Sequence, residues 1–458
     1  MNRQIFREYD IRGIADRDLK DDVVRAVGRA FAQRMAERGL KTIAVGRDVR
    51  LSSPRIAAAL IEGLRDQGAG VLDVGQVPTP ALYFAILHLK AGGGVMVTGS
   101  HNPIEYNGLK LSEGVQSLHG SEIQDLAARA SSAGARDGRG SLESVAIDEA
   151  YLRDLTGRIQ LKRRLRVVVD PGNGAASILG PRYLRALGCE VDAIFAEPDG
   201  RFPNHLPDPT VPALMRPLQE RVLVSGADLG IGFDGDADRV GAVDEQGRLL
   251  YGDQLLGLYA ADVLARRPGS PIIFEVKCSQ GLVEWVRERG GTPIMWKAGH
   301  SLIKAKMRET GAPLGGEMSG HMFFADEFYG YDDALYGAAR LLRIVAAEAT
   351  PLSERVDSLP QAKYVSTPEI RLDCTDERKF AIVDEVREHF RARYDVVDVD
   401  GVRVEFGDGW GLVRASNTQP VLVVRFEARG KDRLRAIAGE IYEVLARFPE
   451  VTIPALQV

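Results

Sequence analysis

Cysteine is scarce in this chain of 458 residues: only Cys189, Cys278 and Cys374 occur. They are far apart and odd in number, which excludes a disulfide framework and any zinc-type spacing. Such usage fits a reducing cytoplasm. No apolar run approaches the ~20 residues that cross a membrane. The opening residues, Met1-Asn2-Arg3-Gln4-Ile5-Phe6-Arg7-Glu8, do not read as a signal peptide. Neither charge sign dominates, with 59 basic against 64 acidic residues and a net charge of -5. Runs of like charge are also missing, so neither a nucleic acid nor a membrane is the expected partner.

What is present is an ordinary globular composition, 45% hydrophobic and 27% charged. The length exceeds one core, and domains of about 100–150 residues imply three or four of them. Val23, Val27, Phe31 and Met35 recur at helical spacing and predict a helix over 21–38. Buried strands are expected at 42–45, 71–74 and 94–98, and Ser53-Pro54 opens a further helix with a cap residue and an early proline. Strands alternating with helices imply a largely parallel sheet. The small-residue stretch 131–141 reads as a mobile loop near a domain end. Further strands are expected at 165–169 and 271–276, and the last part alternates strands (402–406, 421–426) with flanking helices. The division that results is 1–148, 149–249, 250–362 and 363–458. The expected fold class is three related α/β domains with mixed, largely parallel sheets, plus a C-terminal α+β domain, around a central cleft.

Three times a glycine-flanked apolar strand runs into a polar loop: Gly94–Val97 before Ser100, Leu229–Phe233 before Asp234, and Ala312–Gly316 before Glu317. Related units offering equivalent loops to one cleft would produce this repeat.

The loops carry chemistry. In Thr98-Gly99-Ser100-His101-Asn102-Pro103 a hydroxyl is presented beside an imidazole at the end of a strand. Gly99 is expected to permit a tight bend, and Pro103 to stop the loop from running on into a helix. Asp234-Gly235-Asp236-Ala237-Asp238-Arg239 sets three carboxylates at alternate positions. They repel unless a cation sits among them, and a hard divalent ion suits oxygen ligands. An EF-hand is excluded despite Glu245 at its twelfth position, because Arg239 stands where that loop needs glycine and a strand precedes it. Arg414-Ala415-Ser416-Asn417-Thr418-Gln419-Pro420 offers a guanidinium fork, small donors and a backbone nest for a phosphate, with Arg425 on the next strand. Glu317-Met318-Ser319-Gly320-His321 combines a carboxylate, a hydroxyl and an imidazole, suited to vicinal sugar hydroxyls. Gly320 makes a helical metal site of Glu317 and His321 unfavourable.

Taken together, residues 98–103, 234–239, 316–321 and 414–420, with the opening Tyr9-Asp10-Ile11-Arg12-Gly13, resemble the α-D-phosphohexomutases. The four motifs fall in the family's order, one per domain, and span essentially the whole chain. Residues 316–321 are similar to the bacterial phosphomannomutase/phosphoglucomutase branch. Gln419 departs modestly from the pattern, and Ala237 stands where a related branch has glycine.

The resemblance implies an isomerase of carbohydrate metabolism that interconverts hexose 1-phosphate and hexose 6-phosphate, of mannose, glucose or both. It implies a phosphoprotein, with Ser100 as the phosphoserine and with one Mg2+ held by Ser100, Asp234, Asp236 and Asp238. Glucose or mannose 1,6-bisphosphate would be intermediate and activator. Arg414, Ser416, Asn417 and Thr418 would take the non-reacting phosphate. Glu317 and Ser319 would bind sugar hydroxyls, with Lys277, Gly299 and His300 lining the same cleft and His321 and Arg425 as further substrate contacts. Tyr9, Arg12, His101, Lys110 and Arg239 would surround the transferred group. Lys110 is the first choice of base, which requires neighbouring cations or burial to lower its pKa, and His101 is the alternative. The expected partners are small sugar phosphates, acting on a monomer. A metal-dependent phosphatase with an aspartate nucleophile within 234–238, which would not need Ser100, and a non-catalytic sugar-phosphate binder, in which Asp236→Asn would preserve full function, are the rival readings.

Overall fold

In a computed structural model the described residues are 2–132, 134–135, 139–416 and 420–454. The chain divides into two compact units, residues 1–255 with 319–353, and 256–318 with 354–458. Among the described residues, no helix is long and apolar enough to cross a membrane.

The first unit opens with a mixed sheet ordered Ile11–Ile14, Tyr106–Glu113, Gly93–Val97, Thr42–Arg47, Gly70–Gln76, Leu142–Ser144. Gly93–Val97 pairs parallel with Thr42–Arg47 and antiparallel with Tyr106–Glu113. Every residue of Gly93–Val97 is buried, the uninterrupted pattern of a strand covered on both faces. The helices Asp21–Glu37 and Ser53–Arg65 supply one cover, through Val27, Phe31, Met35, Ile56, Leu60 and Leu64. Each such fully buried large side chain contributes roughly 1.5–3 kcal/mol. The helix Thr79–His88 also packs on these strands and is buried on nearly all sides. The helix expected from Ser53-Pro54 is present, but Ser52 is its N-cap and the Ser53 hydroxyl instead donates to Asp48. Of the stretch read as a mobile loop, residues 133 and 136–138 lie outside the described residues; Leu142–Ser144 beyond it adds an edge strand.

A second mixed sheet in this unit is ordered Leu249–Leu250, Val240–Asp244, Leu229–Phe233, Arg166–Asp170, Glu190–Ala193. Leu229–Phe233 pairs parallel with Arg166–Asp170 and antiparallel with Val240–Asp244.

In the second unit, Leu314–Gly316 pairs parallel with Pro271–Glu275, which pairs parallel with Thr292–Trp296. The sequence repeat is therefore topological. Gly93–Val97, Leu229–Phe233 and Leu314–Gly316 each have a parallel neighbour that is itself followed by a second parallel strand. Each delivers its loop at the carboxyl end, where such sheets place ligands. The unit ends in an antiparallel sheet, Val365–Ser366, Val421–Ala428, Gly409–Ala415, Val402–Glu405, Asp395–Val397, with the helices Lys379–Arg391 and Lys431–Leu445 packed on it. This is the expected α+β domain.

Candidate active site

Ser100 is buried and sits in the left-handed region at φ +48°. The sequence assigned that freedom to Gly99, and the structure corrects it. Gly99 lacks a positive φ; it is small because a Cβ there would lie 2.5 Å from Nε of Arg50 and 2.9 Å from the Tyr106 carbonyl oxygen. The Ser100 hydroxyl donates to Oδ2 of Asp234 at 2.6 Å and lies 3.1 Å from Nδ1 of His101. The roles at this contact follow the His101 tautomer: with the Ser100 hydrogen on Asp234, Nδ1 of His101 donates and Nε2 keeps the lone pair. Burial, then Arg239 and Arg12, hold the His101 pKa well below the ordinary imidazole value. This favours the neutral imidazole.

Asp234 to Arg239 follows the buried strand Leu229–Phe233 and turns back into Val240–Asp244. Gly235 permits the close approach of the two loops, since a Cβ would lie 2.3 Å from the Ser100 carbonyl oxygen. Ala237 takes φ +62°, a backbone region that favours glycine. Glu245 turns away to accept from Ser353, consistent with the exclusion of an EF-hand.

Asp234, Asp236 and Asp238 are all fully buried, and their carboxylate oxygens lie within 4.8 Å of one another. Oδ1 of Asp234 accepts from the backbone N–H groups of Asp238 and Arg239. Oδ2 of Asp236 accepts from Lys110 at 2.7 Å and from Thr79 at 2.6 Å, and Lys110 also donates to Asp238. Oδ1 of Asp236 and Oδ1 of Asp238 accept no hydrogen bond, although both are buried. Burial, Asp238 and Asp236 push the Asp234 carboxyl well above its usual range. Burial acts in the same direction on Asp236, but Lys110 and Thr79 outweigh it and hold that carboxyl below the usual range. Three dehydrated carboxylates with two unused oxygens fit a hard divalent cation.

The lysine differs from expectation. Burial alone would lower its pKa, but Asp236 and Asp238 raise it well above the ordinary value. Carboxylates rather than cations surround Lys110, and it is an ammonium.

Arg12 donates to Asn102 at 2.7 Å and to Asp10, fixing its guanidinium beside the serine loop. Arg239 donates from Nε to Nε2 of His321 at 3.0 Å, and Nδ1 of His321 faces Oδ2 of Asp332 at 3.2 Å. Because Nε2 of His321 accepts from Arg239, the ring proton of His321 sits on Nδ1, the side that faces Asp332. Gly320 has φ +90° and no helix forms there, as expected. Tyr9 is half-buried next to Asp10, and Ser319 lies two residues before His321.

The second unit holds another polar cluster. Oε1 of Glu317 accepts from the Gly299 N–H at 2.5 Å, at the start of the helix His300–Thr310. Asp400 accepts from Ala298 N–H at 3.0 Å and from Nε of Arg414 at 2.8 Å. Lys277 lies 3.2 Å from Glu369 and 3.4 Å from the buried Glu275. Arg425 is committed to protein acceptors, donating to the carbonyls of Thr367 and Lys277 and to Ser366. It therefore supports Lys277 rather than offering an open fork. Ser416 is buried at the end of the strand Gly409–Ala415. Asn417 and Thr418 lie outside the described residues.

Comparison with known proteins identifies the family. The domains described as phosphoglucomutase/phosphomannomutase alpha/beta/alpha domains I, II and III match residues 3–133, 149–247 and 251–362, and the family's C-terminal domain matches 369–444. The chain belongs to the phosphoglucomutase/phosphomannomutase family. It is 46% identical over 452 residues to a phosphomannomutase/phosphoglucomutase of Pseudomonas putida, covering 98% of this chain and 97% of the relative. It is 43% identical to a phosphoglucomutase of Neisseria gonorrhoeae, covering 99% of both. A crystal structure of a phosphoglucomutase/phosphomannomutase family protein from Burkholderia thailandensis superimposes with a TM-score of 0.93 at 44% identity, covering 99% of this chain and 100% of that one. The enzyme is an isomerase of hexose phosphates.

Sequence reading missed Arg50, Asp48, Thr79, Asp332 and Asp400. None stands inside a motif loop, and Arg50, Asp48, Thr79 and Asp400 reach partners 50 to 157 positions away.

Proposed function

We propose that the enzyme carries a phosphoryl group on Ser100 and passes it to the C1 or C6 hydroxyl of a hexose phosphate. The resulting 1,6-bisphosphate turns around, and its other phosphoryl group returns to Ser100. The observation that carries this reading is the Ser100 hydroxyl set on Asp234, beside buried carboxylates with unused oxygens. Asp234, Asp236 and Asp238, with an oxygen on Ser100, would hold one Mg2+. When bound, the ion supplies Lewis-acid stabilisation of charge on the transferring phosphoryl oxygens.

The protein's own groups do the rest. Transfer needs positioning and charge neutralisation, and Arg12, Lys110 and Arg239 are the cations for it. As the bond from Ser100 Oγ to phosphorus breaks, the sugar oxygen bonds to phosphorus and releases its proton. The neutral imidazole of His101, with its lone pair on Nε2, supports it as the acceptor. Lys110 lacks a lone pair and serves as a cation. Arg414 and Ser416, with Asn417 and Thr418, would bind the phosphate that does not react. Glu317 and Ser319 would read sugar hydroxyls, with His321, Lys277, Gly299, His300 and Tyr9 nearby in role. Because one set of contacts must serve both orientations, glucose and mannose phosphates should both react.

Intact mass tests the carrier. The purified enzyme, treated with glucose 1,6-bisphosphate, should gain one phosphoryl group, and Ser100→Ala should gain none and lose conversion of glucose 1-phosphate. Release of inorganic phosphate at an undiminished rate by Ser100→Ala would instead identify a phosphatase with an aspartate nucleophile.

A further inference from the structure

We propose that Arg50 is a positioning residue for the phosphoryl carrier: it holds the serine loop in the strained backbone conformation that aims Ser100 at Asp234. This rests on the reading of Ser100 as the carrier. Arg50 is 1% exposed. Its Nη1 donates to the carbonyls of Pro103 at 2.7 Å and Tyr106 at 2.9 Å, and reaches that of Ile104 at 3.4 Å. Its Nη2 donates to the carbonyl of Ser100 at 2.8 Å and to that of Asn102. One planar fork thus gathers five carbonyls of a seven-residue stretch, 100–106.

The stretch joins the strands Gly93–Val97 and Tyr106–Glu113. Turn bonds from Asn102 N–H to the Gly99 carbonyl and from Tyr106 N–H to the Pro103 carbonyl, both at 3.0 Å, shape it locally, and Arg50 ties these turns together through their carbonyls. Ser100 itself is left-handed, a conformation that non-glycine residues hold only when their surroundings impose it. The clamp grips the carbonyl of this same residue. Asp48 completes it from the other side. Oδ2 of Asp48 accepts from Gly99 N–H at 3.0 Å, and Oδ1 accepts from Arg50 N–H at 3.0 Å and from Ser53. The phenyl ring of Phe202 lies 5.2 Å from the guanidinium carbon. Gly99, flat against the guanidinium, completes the fit. Arg50 does not touch the substrate in this scheme; it acts through Ser100.

A lysine offers three donors from one point and cannot span five carbonyls. In Arg50→Lys, kcat should fall about 100-fold, the cost of misplacing a reacting atom by about 1 Å. KM for glucose 1-phosphate should stay within about threefold, because the substrate contacts are intact. Phosphorylation of Ser100 by the bisphosphate, followed by intact mass, should slow in parallel. In Arg50→Ala, guanidinium at concentrations that leave the protein folded should restore turnover, and methylammonium should not. A folded Arg50→Lys with wild-type kcat, or an Arg50→Ala that guanidinium fails to restore, would overturn the proposal. If neither variant folds, Asp48→Asn carries the test. It turns an amide donor towards Gly99 N–H, and should lower kcat without raising KM; unchanged turnover overturns the proposal. Wild-type enzyme that takes up no phosphoryl group would instead overturn the reading of Ser100, whatever Arg50 does.

Discussion

Thr79 and Asp236 are joined twice across 157 positions of sequence. The Thr79 hydroxyl donates to Oδ2 of Asp236 at 2.6 Å, and the Thr79 N–H donates to the Asp236 carbonyl at 2.9 Å. The start of one helix thereby fixes both the backbone and the carboxylate of the central aspartate.

Thr79→Val keeps the volume and the backbone bond but removes the hydroxyl. A hydrogen bond to a charged group contributes about 1.5–3 kcal/mol, so divalent-metal affinity should weaken about tenfold. Calorimetric titration with Mn2+ measures this without reference to turnover. Unchanged affinity would show that Asp236 keeps its orientation unaided.

Chelation offers a second test of the same cluster. Removal of divalent ions with EDTA should abolish mutase activity, and added Mg2+ should restore it. Asp236→Asn should require far more Mg2+ for half-maximal rate. An enzyme fully active after exhaustive chelation would contradict metal binding by Asp234, Asp236 and Asp238.

Asp400 ties Arg414 to the backbone of Ala298. Asp400→Ala should loosen the guanidinium and raise KM for hexose phosphates about tenfold, since charge-assisted bonds to phosphate are lost in ground and transition states alike. Steady-state kinetics should show kcat changed far less than KM. A fall in kcat at constant KM would assign Arg414 to the chemical step instead.

Asp333 gives the fold a dependence on pH. Its carboxyl caps the helix Ala334–Ala347 and accepts from the Tyr151 hydroxyl at 2.7 Å, and burial pushes its pKa up to about 7. An unfolded aspartate ionises near 4. Between about 4 and 7 the folded chain keeps a proton that the unfolded chain releases, so this group's contribution to stability falls as pH rises through that window. The slope for one proton is at most about 1.4 kcal/mol per pH unit. Asp333→Asn cannot ionise, and its melting temperature should decline less than that of wild type between pH 5 and pH 7. Parallel melting curves would remove Asp333 as the source.

The motif loops were legible because each packs its chemistry into a few consecutive residues behind an apolar strand. The repeat of those strands was legible for the same reason, and the sheets show it as topology. The supports were not. Arg50 acts on main-chain carbonyls, which have no sequence signature, and Thr79 looks like any residue that opens a helix before proline. The surroundings of Lys110 were not legible because they come from another loop: a base at this position requires burial or cations to lower its pKa, and folding sets Asp236 and Asp238 against it. Gly99 was read as freeing the backbone for a tight bend, but its smallness serves the guanidinium lying against it.

The positive φ at Ser100 also bears on which residue could replace it. Threonine carries a hydroxyl of similar reactivity, and many phosphorylated sites accept either. Here a branched Cβ would sit in a backbone region that such side chains rarely adopt. The alcohol at position 100 is therefore best served by the unbranched kind, and an otherwise conservative exchange to threonine would add a methyl group to Cβ in the left-handed backbone region that branched residues avoid.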